Sequence, residues 1–231
     1  MLVRRAGIGT WTSAMSVFVL LTACSTTVTG DATWPGAVLA KASLGSADFP
    51  AGVQFDRIVE QPGQPDGADG PGAMLSRPEG CANALTNVIA GSAERGPGSA
   101  AKYVVAYDGA RVVMTLLSWN LDLDALRATA SRCARFEAFF SPDSDSIPIT
   151  TTELSGSPGF PALGSGALAY QQTMELNATT SSVYMAFQNV GGRAVFGLAL
   201  PEPNPAIPVG ASLPQTFLEV FAKQVERLRA V

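Results

Sequence analysis

The chain is 231 residues long, with 15 basic and 19 acidic side chains, a net charge of −4, three cysteines and no histidine. That length suits one domain with room for a buried core, and the acid excess, scattered without a basic run, argues against nucleic acid and against a polybasic contact with anionic lipid. With no imidazole anywhere, Ser-His-Asp and Cys-His catalysis and nearly every zinc site are excluded.

Arg4 and Arg5 precede an apolar run that starts near Ser13 and closes on Leu21-Thr22-Ala23-Cys24. A basic start, an apolar middle and small residues before the cut make a secretory leader, and the run falls short of the about 20 apolar residues a spanning helix needs. The closing four residues look like a lipobox. Residues 1–23 are therefore expected to be removed as a signal peptide and Cys24 to carry lipid. Arg4-Arg5 is followed by Ala6-Gly7-Ile8, not by the surroundings of a twin-arginine signal, so the general secretory route is expected. Two or three acyl chains, at about 0.8 kcal/mol per buried CH₂, would hold the mature chain on the outer face of the cell membrane.

Lipidation takes one thiol and leaves Cys81 and Cys133. An even pair outside the cell is expected to form a disulfide, and nothing resembling Cys-x-x-Cys suggests a redox pair. The bond would close a loop of roughly 50 residues, for which the chain-entropy account gives on the order of 4 kcal/mol.

Residues 24–40 are rich in Ser, Thr and Gly and lack any period, so they are expected to be a lipidated flexible tether ahead of one domain at 41–231. After Asp48-Phe49-Pro50-Ala51-Gly52, residues 53–60 are expected to form a strand and the Gly, Pro and Asp of 61–72 a surface loop. Pro78 is expected to open a helix that ends at Gly91, with Cys81, Leu85, Val88 and Ile89 on one stripe. Asp108-Gly109 predicts a type I′ hairpin within 101–119, pairing Tyr107 with Ala110 and Val105 with Val112. Asn120 or Asp122 caps a second helix to about Arg135, turning Leu123, Leu126, Ala130 and Cys133 inward. The disulfide would then join two helices.

Residues 147–154 are expected as a strand inside a long polar excursion. A meander follows at 167–176, 183–190 and 193–200, with Phe187 facing Phe196 and Met185 facing Leu198 across Gly191-Gly192. A four-residue loop at 177–180 keeps Leu168, Tyr170, Met174 and Leu176 on that apolar face, whereas a one-residue slip would expose them. Ser212-Leu213-Pro214-Gln215 reads as a capping box for a last helix carrying Phe217, Phe221, Val225 and Leu228. The fold class is therefore α+β, a mainly antiparallel sheet of about six strands flanked by three helices.

Little chemistry is left. Gly164-Ser165-Gly166 and Gly156-Ser157-Pro158-Gly159 lack the strand-turn-helix setting of a nucleophile elbow. Asp122 with Asp124 starts a helix, Asp143 with Asp145 lies in a polar loop, and neither these nor Asp66 with Asp69 has the spaced oxygen ligands of a calcium loop. Gly96-Pro97-Gly98 leads into a strand, so no phosphate-cradling loop is expected. No catalytic residue, metal or cofactor is expected, and the chain is expected not to be an enzyme. One sheet face carries small residues, Ala169, Ala186, Gly197 and Ala199, beside Tyr184, Gln188, Arg193, Gln171 and Thr173. That face either packs a helix or a loop, or simply meets solvent, or forms a ligand groove, in which those last five residues would give area and orientation.

The lipobox, the Ser/Thr-rich tether, Asp48-Phe49-Pro50-Ala51-Gly52, Pro78-Glu79-Gly80-Cys81 and Cys133 inside the next helix together resemble a group of mycobacterial surface lipoproteins. Their single domain is similar to the extracellular sensor domain of PknH-type receptor kinases, and the resemblance covers about residues 41–231. It implies an α+β domain with a cleft proposed to bind an unknown ligand. The kinase domain is expected to carry two disulfides where this chain can form one, so no ligand-contacting residue is carried over. The expectation is a non-enzymatic, lipid-anchored binding or sensor-like module for a small ligand or cell-wall component. A lipid or glycolipid carrier, and a structural or protein-interaction domain, are the alternatives.

Overall fold

In the computed structural model, which describes residues 35–58, 74–87, 98–107, 109–156, 163–176, 179–201 and 213–231, nine strands pair into one sheet. All described residues belong to one unit, Ala32–Val231. The strands are β1 (Gln54–Ile58), β2 (Leu75–Arg77), β3 (Ala100–Tyr107), β4 (Ala110–Leu117), β5 (Arg135–Phe139), β6 (Ile147–Glu153), β7 (Leu168–Leu176), β8 (Thr179–Val190) and β9 (Arg193–Pro201). Three α-helices stand among the described residues: α1 (Pro35–Ala42), α2 (Leu123–Arg132) and α3 (Leu213–Arg229). The order is β1-β3-β4-β9-β8-β7-β6-β5-β2, and neighbouring strands are antiparallel.

The hairpin registers are those the hydrophobic pattern requires. Tyr107 pairs with Ala110 and Val105 with Val112, while Phe187 pairs with Phe196 and Met185 with Leu198. Gly191 and Gly192 have φ of 54° and 83°, the left-handed conformation that lets a two-residue turn follow the strand twist. Between β7 and β8 the loop is two residues rather than four, because Leu176 pairs with Thr179. The shift is by an even number of residues, so Leu168 and Tyr170 keep the face the pattern assigned them.

Nine strands replace the expected six or so because β2 and β5 come from stretches that did not read as strands. Asp122 accepts from the Ala125 N–H at 2.9 Å and starts α2, but the helix stops at Arg132, with Cys133 as its C-cap. The chain then turns into β5, where Phe136 and Ala138 are buried and Arg135 is exposed, a period-two pattern. Nor do the described residues after Pro78 form an α-helix. Gly80 has φ 76°, and the Ser76 hydroxyl accepts from the Cys81 and Ala82 N–H groups at 2.8 and 3.2 Å, holding turns in place of a first helical turn. The Cys81–Cys133 disulfide is present, with Cα atoms 5.6 Å apart across a separation of 52 residues. It joins these turns to the end of α2, not helix to helix.

The third helix lies instead where a tether was expected. Residues 35–40 belong to α1, whose Leu39 and Ala42 are fully buried with Leu44. A buried glutamine on α3 fixes this segment: Gln224 Nε2 donates to the Ala42 carbonyl at 2.9 Å and its Oε1 accepts from the Leu44 N–H at 3.0 Å. Two residues on, a 3-10 turn at Ser46–Asp48 is held from α3 by Arg227 on the Asp48 carboxylate at 2.6 Å.

The sheet is thus covered twice. On one face α1 and α3 pack on Tyr103, Val112, Met114, Ala186 and Val195. On the other, α2 and Leu85 pack on Val113, Leu168, Phe187, Phe196 and Leu198, while the disulfide covers Phe136, Ala138, Ile147 and Ile149. Asn189 ties α2's entry to the sheet by accepting from the Leu121 N–H and donating to its carbonyl, both at 2.9 Å.

Candidate functional site

The small residues at the centre of the α3 face are filled by a helix. A Cβ built on Gly197 would stand 2.9 Å from Phe221 Cδ2, 3.0 Å from Phe217 Cε2 and 3.1 Å from Met114 Sδ. Ala169, Ala186 and Ala199 are fully buried in the same cluster. Their size is explained by the two phenylalanines that rest on them, and the expected groove is occupied by α3 at this point.

The five residues expected to line that groove do not all converge: Tyr184 lies opposite Gln171, whereas Gln188 and Arg193 stand apart. Arg193 sits at the β8–β9 turn, paired with Val190. Eight residues of β8 separate Val190 from Ser182, about 26 Å at 3.3 Å per residue. Gln188 is buried under Gly164 and Arg229: a Cβ on Gly164 would lie 2.6 Å from both Gln188 Nε2 and Arg229 Nη2. Tyr184 is also buried, its ring 6.5 Å from that of Phe217, and burial pushes its phenol up while a hydrogen bond with Ser182 partly offsets this.

Gln171 and Thr173 do come together, at the far end of the sheet. Gln171 pairs with Tyr184 and Thr173 with Ser182; Gln171 Nε2 donates to Ser182 Oγ at 2.9 Å, and the Thr173 and Ser182 hydroxyls are 3.2 Å apart. On β6, Thr150 lies opposite Thr173 and Thr152 opposite Gln171, both threonines exposed. Arg135 lies opposite Thr150 and Glu137 opposite Pro148; beyond them Arg77 of β2 reaches Glu137 at 3.9 Å and sits 5.4 Å over the Phe139 ring. Side chains alternate along each strand, so all these residues share the α3 face. Among the described residues α3 packs chiefly on β8, β9 and β4 and its cluster takes in Ala169 of β7, whereas farther out on this face Arg135, Thr150 and Thr152 are exposed and Gln171, Thr173 and Ser182 half-buried.

Sequence reasoning found Gln171 and Thr173 but missed Thr150, Thr152 and β5. Residues 147–154 already read as a strand, and the alternation Arg135-Phe136-Glu137-Ala138-Phe139 was the available signal for its neighbour.

The open face is rich in hydroxyls and amides, which donate and accept without titrating near neutral pH. Among the described residues no group of three or more His, Cys, Asp or Glu is placed to hold a metal ion, and no helix is long and apolar enough to cross a membrane. Cys24 lies outside the described residues. No protein-family model and no curated protein matches the chain. The solved structure of an uncharacterized protein from Mycobacterium smegmatis is similar at a TM-score of 0.46 and 15% identity, covering 85% of this chain and 96% of that one.

Proposed function

We propose that this chain is an exported, lipid-anchored envelope protein whose folded unit is a non-enzymatic binding module, akin to the sensor domains it resembles in sequence. The observation that carries the reading is the uneven cover of the sheet among the described residues: one face is largely covered by α2 and the disulfide segment, whereas on the other α3 covers β4, β9 and β8 and the hydroxyls of Thr150 and Thr152 on β6 stand exposed. A rigid, hydrogen-bonding surface held by a closed core is the usual build of a recognition face. The Leu21-Thr22-Ala23-Cys24 lipobox and the Cys81–Cys133 disulfide support its placement outside the cytoplasm. The carrier alternative gains nothing from the small-residue trough, which Phe217 and Phe221 fill.

Two measurements test this. Cys24→Ala should move the protein from the membrane to the soluble fraction, and unchanged membrane retention would sink the lipoprotein reading. Native mass spectrometry of protein taken from its own host should find a bound small molecule or wall fragment. A co-purified acyl lipid would favour the carrier instead.

An interaction domain is the second reading, favoured by one corner of the sheet. Leu75 on the edge strand β2 is 50% exposed and Phe140 just past β5 is 68% exposed, so two large apolar side chains meet solvent at the β2–β5 end of the sheet. Crosslinking that captures a partner through Phe140, and not through the β6–β7 face, would turn the assignment that way.

A further inference from the structure

We infer that the open half of the sheet, the face of β5, β6, β7 and the first residues of β8, binds a neutral polyhydroxylated chain, an envelope glycan. This rests on the reading of the protein as a binding module and names the class of its ligand.

Three observations carry it. The first is the chemistry of the centre. Thr150, Thr152, Thr173, Ser182 and Gln171 occupy facing positions on three adjacent strands, and each can both donate and accept. A sugar hydroxyl has the same dual character, so the two surfaces satisfy one another in many registers, as a repeating polymer requires. Gln171 and Thr173 are already tied to Ser182 at 2.9 and 3.2 Å, which lowers the ordering cost of binding.

The second is charge. Around this centre Arg77 and Arg135 are set against Glu137 and Glu175, so the margin cancels, although the whole chain carries −4. A polyanion or polycation would meet no net opposite field there, while a neutral chain meets no repulsion. An acyl chain would desolvate the hydroxyls without replacing their hydrogen bonds, which is costly.

The third is shape. From β2 to β8 the face crosses four strand spacings, about 19 Å, room for a short oligosaccharide lying across the strands. At its outer end the exposed Pro148 offers an apolar plane of the kind that sugar C–H faces pack against, beside the Phe139 ring over which Arg77 lies at 5.4 Å.

The test uses the full chain in mild detergent against immobilised neutral gluco-, manno-, galacto- and arabino-oligosaccharides, with heparin as the polyanion control. At least one neutral oligosaccharide should be retained, with little dependence on salt. The double variant Thr150→Val with Thr152→Val, which exchanges hydroxyl for methyl at two exposed positions, should weaken that binding about ten-fold, the loss of two hydrogen bonds, with an unchanged melting temperature. Retention of heparin alone, of no oligosaccharide, or equal binding by the variant would overturn the proposal. If oligosaccharides fail while native mass spectrometry still finds a bound molecule, the ligand class is wrong and the binding module stands. If both fail, both readings fall.

Discussion

Gly197 and Asp48 show how much of this fold hangs on single side chains. Gly197 has no room for a Cβ under Phe221 and Phe217, so Gly197→Val should overpack the α3 interface by about 1–3 kcal/mol and lower the melting temperature by several degrees, at about 2–4 °C per kcal/mol for a domain of this size. An unchanged melting temperature would mean that α3 does not rest on this trough. Asp48 is a charge device. The Gly45 N–H on its carboxylate at 2.9 Å is the largest influence holding the carboxyl below the usual carboxylate range; Arg227 and Lys223 act the same way, against an opposing effect of burial. Because the folded pKa is depressed, the stability this supplies is present above the ordinary value of 3.8 and fades as pH falls through the lower folded value. Asp48→Asn should therefore be less stable than wild type at about pH 7, with a smaller gap at about pH 3, by chemical denaturation. A gap of the same size at both would show that charge is not what holds the Ser46–Asp48 turn to α3.

Among the elements, the sequence announced the long and strongly patterned ones. The two hairpins, α2 and α3 were legible because period-two and period-3.6 apolar stripes, a Gly-Gly turn and an Asp122 cap all agree locally. The β7–β8 pairing was legible only in parity: alternation fixes which side faces the core, while the exact loop length is a matter of two residues that burial does not see. Short elements were not legible. The three residues of β2 have no pattern to read, and β5 begins at Arg135, to which the helical stripe was expected to run, whereas α2 ends at Arg132 with the disulfide-bonded Cys133 as its C-cap. That disulfide pins the β2–β5 end of the sheet to α2. Reducing it, or replacing both cysteines with alanine, should cost about 4 kcal/mol by the chain-entropy account of a loop this long, read from guanidinium unfolding. Equal stability of oxidised and reduced protein would show that the non-covalent cluster around Phe136 and Ile149 suffices alone.

For the molecule as a whole, the boundary of the folded unit is the point at which composition misleads. Ser, Thr and Gly around α1 read as spacer, yet Leu39, Ala42 and Leu44 are fully buried and Gln224 bonds to both ends of that turn. Compared with a Cys24→Ala chain, a chain beginning at Ser43 should lose at least the 2–5 kcal/mol of a buried leucine, seen as a lower unfolding midpoint. Unchanged stability would return α1 to the tether. The candidate site divides the same way. Gln171 and Thr173 were singled out from their own strand, but their partners Thr150 and Thr152 came only with the β6–β7 pairing, and Gln188 and Arg193 left the site once β8 separated them. By itself the sequence determined the face each strand residue takes, the cysteine pair and the absence of imidazole chemistry, because these follow from local periodicity and composition. Only the tertiary structure decided which half of the polar face lies open, because that depends on where α3, joined to β9 through a long connection, comes to rest on Gly197.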